Sequence, residues 1–445
     1  MKLNNIFSRR ILICLGSAFT TTFSFQLNNA STFVSRNHNN IVFSKKNHYS
    51  FQTLTFTTKM KPYHRDEHEH HPKQKKSSTI LNSLLVSSGD AASPDDSVLR
   101  NMSTLTLLEH INLNVPNHDY ILDFYFHILG MGLDPRRASN VAKGSGTVWA
   151  NCGASQFHLP VGETAQVIPG SIGLLYDDLT GVERRLKTYD DKEDKPFTSY
   201  RIELEDDDGN TLCVKIVDKY GNVFYCRRSQ NIRSKNDNDE LMYRAKQPNI
   251  FVDNEQHMEE FKDVISKYGL KSDQNTECRG ISYVEFYVSK GNNKIEDIAE
   301  FYDCVFNAPT TVIGDPNDTD SAKVAIIGFG KINPETGRTS QSLLFREIDM
   351  DLPPYDGHHL ALYVGESKAD FEQAFANTME AGVVWVNPRF SDKVTNLNTA
   401  KKWRQFRFKD LLSLEHGRKI FELEHEVRCI EHESWPGGDI FKDVK

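Results

Sequence analysis

The chain has 445 residues, of which 38% are hydrophobic and 26% charged, and its formal net charge is −8. That is the balance of a globular protein of two or three domains, and the acid excess gives no electrostatic support for a nucleic-acid partner. Seven cysteines, none in a CxxC or similar ligand spacing, exclude a disulfide scaffold and a thiolate metal site.

The chain opens with Lys2, Arg9 and Arg10 ahead of an apolar run over residues 11–19. This is the charged n-region and short h-region of a signal peptide, and it falls well below the ~20 residues that a membrane span needs. Residues 31–79 are rich in Ser, Thr, Asn, His and Lys and poor in acids, a transit-peptide composition. With Phe19 and Phe23 near the junction, the leader resembles the bipartite plastid presequence of algae with secondary plastids. The resemblance implies delivery to a plastid; an ordinary secretory signal followed by a linker would place the protein outside the cell or in an endomembrane lumen. Residues 1–30 are therefore expected to be signal-like and 31–100 to be an unstructured leader and linker. His64, His68, His70 and His71 fall in this leader, where weak incidental metal affinity is the plainer reading.

Beyond residue 100 one pattern occurs four times: an alternating strand, an amphipathic helix, then turn-rich segments ending in a short strand. In the first unit, Glu109-His110-Ile111-Asn112-Leu113 alternates, with His110 on the face opposite Ile111 and Leu113. Asn117 offers a helix cap, residues 120–129 have helical spacing, and residues 146–151 and 155–160 read as strands. The second unit begins at Gly170, with a helix over 179–189 and strands at 200–204, 212–217 and 223–226. Residues 229–278 form a linker with a possible helix at 255–268. The third unit starts at Ile281, has a helix over 295–306 and ends at 341–346. The fourth starts at His358-His359, has a helix over 368–381 and ends at 417–424. These units define two regions, 101–228 and 279–432, with a tail at 433–445.

The opening strand followed by Asp123-Phe124-Tyr125-Phe126-His127-Ile128-Leu129-Gly130-Met131, with Phe301-Tyr302 repeating the helix element, resembles the vicinal-oxygen-chelate superfamily of glyoxalase I, bleomycin resistance proteins and extradiol dioxygenases. The resemblance implies an α+β fold of four βαβββ units forming two cupped sheets. It also implies a divalent metal held by the first and last strands of two paired units. By position the first unit offers His110 and His158, with Gln156 two residues back on the same face. The fourth offers His359, with His358 facing away, and Glu422. The second and third units, with Ser171, Ile172, Tyr225, Tyr283 and Leu344 at those positions, offer no comparable set. In two-domain glyoxalases the first unit is understood to pair with the fourth and the second with the third. That pairing would complete one site; pairing in sequence order would complete none.

Imidazole and carboxylate ligands suit Zn, Ni, Co, Mn or Fe. The resemblance then implies a glyoxalase-like lyase or isomerase on a small oxygen-rich substrate, with an enediolate-type anion stabilised by the ion and Glu422 shuttling a proton. Two alternatives stand beside it: an Fe(II) extradiol-type dioxygenase, and a metal-free binding module whose cups, with Tyr225, Tyr283 and Phe345, hold an aromatic ligand. Arg136 and Arg137 could clamp an anionic substrate group or be a solvated basic pair. Each candidate ligand also has a plain reading as a hydrogen-bonded or solvated side chain. His416 and His425 read as structural. The expected partner is a small molecule, with no nucleic acid and no membrane span, in a monomer or homodimer.

Overall fold

The computed structural model describes residues 104–229, 255–272, 275–291, 293–314, 322–332 and 339–435, together with four strands between residues 21 and 57. Those four, β1 (Thr21–Leu27), β2 (Ala30–Asn37), β3 (Asn40–Asn47) and β4 (Ser50–Thr57), form an antiparallel meander in chain order. Two residues separate each pair, as between Leu27 and its partner Ala30. Composition predicts no regular structure over this stretch, so the strands are a departure from that expectation. The signal-like residues 1–20, the His-rich tract and the tail beyond 435 lie outside the described residues.

Four units are present, three of them with four sheet strands and the fourth with three. In the first, β5 (Leu105–Asn112) is followed by a helical turn capped by Asn117, whose side chain accepts from the Tyr120 amide at 2.8 Å. The helix continues over Ile121–Ile128 with wider, i→i+5 closure and stops at Gly130, which has φ +65°. Strands β6 (Gly132–Leu133), β7 (Val148–Cys152) and β8 (Ser155–Leu159) complete the unit. The second unit has β9 (Gly170–Tyr176), a helix at Thr180–Asp190, then β10 (Phe197–Glu205), β11 (Thr211–Asp218) and β12 (Val223–Arg228). A helix at Glu255–Tyr268 and β13 (Lys271–Ser272) lead to the third unit, β14 (Cys278–Ser289), a helix at Lys294–Phe306, β15 (Thr310–Ile313), β16 (Val324–Phe329) and β17 (Gln341–Ile348). The fourth opens with β18 (His359–Val364). Ser367 and Asp370 then close a capping box on the helix Lys368–Glu380. A short helix at Leu397–Trp403, β19 (Gln405–Phe408), a two-stranded ribbon of β20 (Leu411–Leu412) and β21 (Lys419–Phe421), and β22 (Glu424–Cys429) follow.

The strands assemble into two eight-stranded mixed sheets, giving the expected α+β class. Their orders are β13-β6-β7-β8-β5-β18-β22-β19 and β10-β11-β12-β9-β14-β17-β16-β15. The first unit pairs with the fourth through antiparallel β5 and β18, and the second with the third through antiparallel β9 and β14. Region 101–228 thus supplies four strands to each sheet and region 279–432 three to the first and four to the second, with β13 added to the first from the linker. One face of each sheet carries the apolar positions. On β18 these are Leu360, Leu362 and Val364, on the side of the helices that supply Phe371 and Phe375 to the same core. The opposite face forms the cup. Among the described residues no helix is long and apolar enough to cross a membrane.

Candidate metal centre

Register places the polar positions of the first cup. Counting across the sheet from β8 to β19, Gln156 pairs with His110, His110 with Ala361, Ala361 with Glu426, and Glu426 with Arg407. The adjacent row runs Trp149, His158, Asn112, His359 and Glu424. Because side chains alternate across a strand, both rows point into the cup. A β-bulge lies where the β18 pairing passes from Ala361–His110 to Leu362–Leu108, which leaves Glu109 as the extra residue beside His110. Ala361, with only a methyl group, leaves the middle of the first row open between His110 and Glu426.

Over that gap His110, His359 and Glu426 each bring one ligand atom within 4.8 Å of the others, and all three residues are buried. His110 Nδ1 lies 2.6 Å from Glu109 Oε2, so its proton sits on that side and Nε2 carries the lone pair. His110 Nε2 and His359 Nδ1 are buried with no hydrogen-bond partner. Two orphaned imidazole nitrogens, on rings whose centroids lie 5.8 Å apart, are costly unless something binds there. Burial lowers the pKa of His110 despite Glu109, and burial with Arg407 and His110 lowers His359 well below the ordinary imidazole value. Both rings are therefore neutral, the form that ligates metal.

Arginines frame the carboxylate. Arg428 donates from Nε to Glu426 Oε1 at 2.5 Å and from Nη1 to Glu109 Oε2 at 2.7 Å. Arg407 donates to the other oxygen of Glu426, to Glu424 at 2.9 Å and to Asp392 at 3.0 Å. Burial pushes the Glu426 carboxyl up, but Arg407 and Arg428 outweigh it and hold it well below the usual range. Asn387 Nδ2 binds both oxygens of Glu424 at 3.0 Å. Four buried carboxyl groups (Glu109, Asp392, Glu424 and Glu426) face two buried guanidiniums here. Carboxyl groups thus outnumber guanidiniums in the cluster, and burial raises the pKa of one of them, Glu424, against Asn387 and Arg407. The neutral imidazoles and the ionised carboxylate fit a divalent metal.

The other sequence candidates are placed differently. Glu422 is outside the cluster: Lys409 and Lys419 bind its two oxygens at 2.8 and 2.5 Å and lower its pKa. Glu426, four residues on and missed by sequence reasoning, occupies the position expected of it. His158 lies flat on His110, ring centroids 3.7 Å apart, with Nε2 3.2 Å from Gln156 Oε1. It stacks beside the cluster and is not part of it. Arg136 is taken up by Asp134 through two contacts of 2.8 and 2.6 Å, while the Arg137 guanidinium lies 3.8 Å above the Trp149 ring. His358 faces away, paired with Asp356 at 2.5 Å. His425 lies on the helix side, 2.6 Å from the Tyr302 hydroxyl; His416 is exposed.

The second cup has no such group among the described residues. Ser171 donates to Glu285 at 2.8 Å, and Arg346 holds the other oxygen of Glu285 at 2.6 Å. Tyr225 and Tyr283 flank Arg227 on the cup side, at 5.9 and 5.6 Å. Ile172 and Phe345, read as cup residues, belong to the core on the other face.

Four strand–helix–strand units, paired crosswise into two cupped sheets with ligand-type side chains on first and last strands, decide the architecture. This is the arrangement that the resemblance to the vicinal-oxygen-chelate superfamily implies. A glyoxalase family protein from Bacillus anthracis, described as putative in its own name, is similar at 17% identity over 28% of this chain and 97% of that one, with a TM-score of 0.21. The 2,3-dioxygenase LapB from Pseudomonas sp. KL28 is similar at 11% identity over 74% of this chain and 93% of that one, with a TM-score of 0.24. A catechol 2,3-dioxygenase is similar at 11% identity over 74% and 88%, with a TM-score of 0.23. No protein-family model matches the sequence, and no curated protein matches it. Of the two cups only the first, among the described residues, gathers metal-ligand side chains.

Proposed function

We propose that the chain is a metal-dependent enzyme acting on a small substrate with two neighbouring oxygens, with His110, His359 and Glu426 as the ligands of one divalent ion. The observation that carries this reading is the convergence of those three side chains with two orphaned imidazole nitrogens. Such an ion supplies Lewis-acid polarisation of the two oxygens, and as Fe(II) it also supplies one-electron chemistry toward dioxygen. Glu109 fixes the His110 tautomer, and Arg407 and Arg428 keep Glu426 ionised and immobile. Phe390, 5.8 Å from His359 and 4.1 Å from the Arg407 guanidinium, walls the cup against water.

The same geometry weighs differently on the two enzyme readings. Enediolate chemistry needs a carboxylate that leaves the ion and takes a proton. Glu422 is remote from the cluster, and Glu426, with a guanidinium on each oxygen, is a poor proton acceptor. The imidazole left for proton transfer is His158, stacked on His110. Two histidines and one fixed carboxylate with the remaining positions open favour the Fe(II) dioxygenase-type reading over the lyase. The test is elemental analysis of the purified chain, then dioxygen uptake with catechol by Fe(II)-reconstituted protein. Stoichiometric metal that is lost in His359→Ala supports the metal centre. A wild-type chain that takes up no metal returns the protein to the binding-module reading. For location, the leader supports plastid import through a signal peptide and transit peptide, with N-terminal sequencing of the native protein as its check; a native chain starting at Met1 would refute it.

A further inference from the structure

We infer that the substrate of this centre carries a carboxylate and that Arg137 receives it at the rim of the first cup. The inference rests on the metal reading above and adds a substrate class to it.

Most cations around the cup are already matched. Arg407 and Arg428 are locked between buried carboxylates, and Arg136 is held by Asp134 through two contacts. Arg389 is exposed and lies 3.5 Å from the Gly357 carbonyl. Arg137 differs. Among the described residues its guanidinium makes no hydrogen bond or ion pair, and its Nε is buried without a partner. Asp134, the nearby acid, is committed to Arg136 and to Gln156 at 2.7 Å. Burial and the like charge of Arg136 both disfavour the Arg137 cation, with only partial compensation from Asp134.

Its position is nevertheless fixed. The guanidinium carbon lies 3.8 Å from the Trp149 ring centroid, a cation–π contact that holds the group over the ring. Trp149 stacks on His158 at 4.5 Å and 11°, and His158 stacks on His110 at 3.7 Å. A column of face-to-face rings therefore runs from the unmatched cation to a proposed ligand of the ion. A substrate lying along the side of that column would place two oxygens at the ion and an anionic substituent at Arg137. A guanidinium fork matches a carboxylate in two parallel hydrogen bonds, which neither Trp149 nor His158 can supply.

The test uses the full chain loaded with Fe(II) under anaerobic conditions and three probes: catechol, 3,4-dihydroxybenzoate and benzoate. Calorimetry should give about tenfold or greater preference for the carboxylated diol over catechol, the size of one charge-assisted bidentate contact. Arg137→Met should abolish the preference while catechol affinity, metal content and thermal midpoint stay as in wild type. Arg137→Lys should restore part of it. Equal affinity for the two diols in wild type, or a preference that survives in Arg137→Met, overturns the inference and leaves the metal reading standing. If neither diol binds but benzoate does, and Arg137→Met loses benzoate, the role of Arg137 stands and the metal reading fails. If none of the three binds, both fail.

Discussion

Ala361 is the smallest side chain in the row Gln156, His110, Ala361, Glu426 and Arg407, and the candidate centre exists because it is small. Ala361→Leu would fill the gap over which the ligands converge. Metal content should fall to background, while the sheet, which already holds a residue there, should lose about 1–3 kcal/mol to overpacking. Elemental analysis and urea unfolding read the two effects separately, and retained metal would place the ion elsewhere. The two glutamates can be told apart in the same way. Glu422→Gln removes half-exposed ion pairs and should change stability by no more than about 0.5 kcal/mol, with metal retained. Glu426→Gln leaves Arg407 and Arg428 facing a neutral amide and should cost about 3–5 kcal/mol in addition to the metal.

At the same scale, His425 makes stability depend on pH. Its Nδ1 lies 3.0 Å from the Leu423 carbonyl and its Nε2 meets the Tyr302 hydroxyl, which fixes a neutral ring against Phe408. Burial lowers its pKa to about 3. An unfolded chain protonates this imidazole below about 6.5, whereas the folded chain does not until far lower, so falling pH favours unfolding. The loss begins near pH 6.5, runs down toward pH 3, and reaches about 2 kcal/mol for this one group at pH 5. His110 and His359 shift in the same direction. The urea midpoint of metal-free protein should therefore drop between pH 7 and pH 5, and a flat or rising profile would contradict the buried neutral rings.

Among elements, the helices and opening strands were legible and the closing strand of the fourth unit was not. The expected helices at 255–268, 295–306 and 368–381 match Glu255–Tyr268, Lys294–Phe306 and Lys368–Glu380, because apolar spacing and caps are local signals. His110 and His359 sit on opening strands and could be found from alternation. Glu422, Glu424 and Glu426 share one parity, so a period of two residues cannot say which reaches the ion. That depends on where the strand begins. Residues 419–421 leave the sheet to pair with Leu411–Leu412, and β22 starts only at Glu424, which puts Glu426 beside Ala361. The partner strand, not the sequence nearby, sets this register.

The β9–β14 crossing is equally non-local. A Cβ on Gly170 would lie 1.8 Å from the Glu285 carbonyl oxygen, and one on Gly173 would lie 2.2 Å from the Tyr283 ring. The backbone contact has no flexible side chain to yield. Gly170→Ala should separate the strands and destabilise the fold by about 3 kcal/mol or more in denaturant unfolding. Gly173→Ala, where the Tyr283 ring can turn, should cost less. Equal costs would mean that the strands approach less closely than this geometry requires.

For the whole molecule, the consequence is that neither half of the chain owns a complete sheet. The βαβββ pattern was visible four times, but which units pair is set by distant strands, and the hints were the pairing that the resemblance implies and the unequal share of His and Glu. Region 101–228 supplies β5 and β9, and both are interior strands whose partners β18 and β14 come from region 279–432. Cut between the regions, β5 and β9 would each present an open edge of unpaired amides and carbonyls. Glu109 would lose Arg428, and the apolar faces of both sheets would end at their middle. Expressed alone, residues 101–228 should lack a cooperative unfolding transition and should not bind metal. Co-expressed with residues 279–432, the two fragments should elute together and regain metal at a single site, because His110 comes from one and His359 and Glu426 from the other. Size-exclusion chromatography with elemental analysis of each fraction is the measurement. A fragment 101–228 that is monomeric, unfolds cooperatively and binds metal by itself would require the first and second units to pair with each other, and the crosswise assembly would then be wrong.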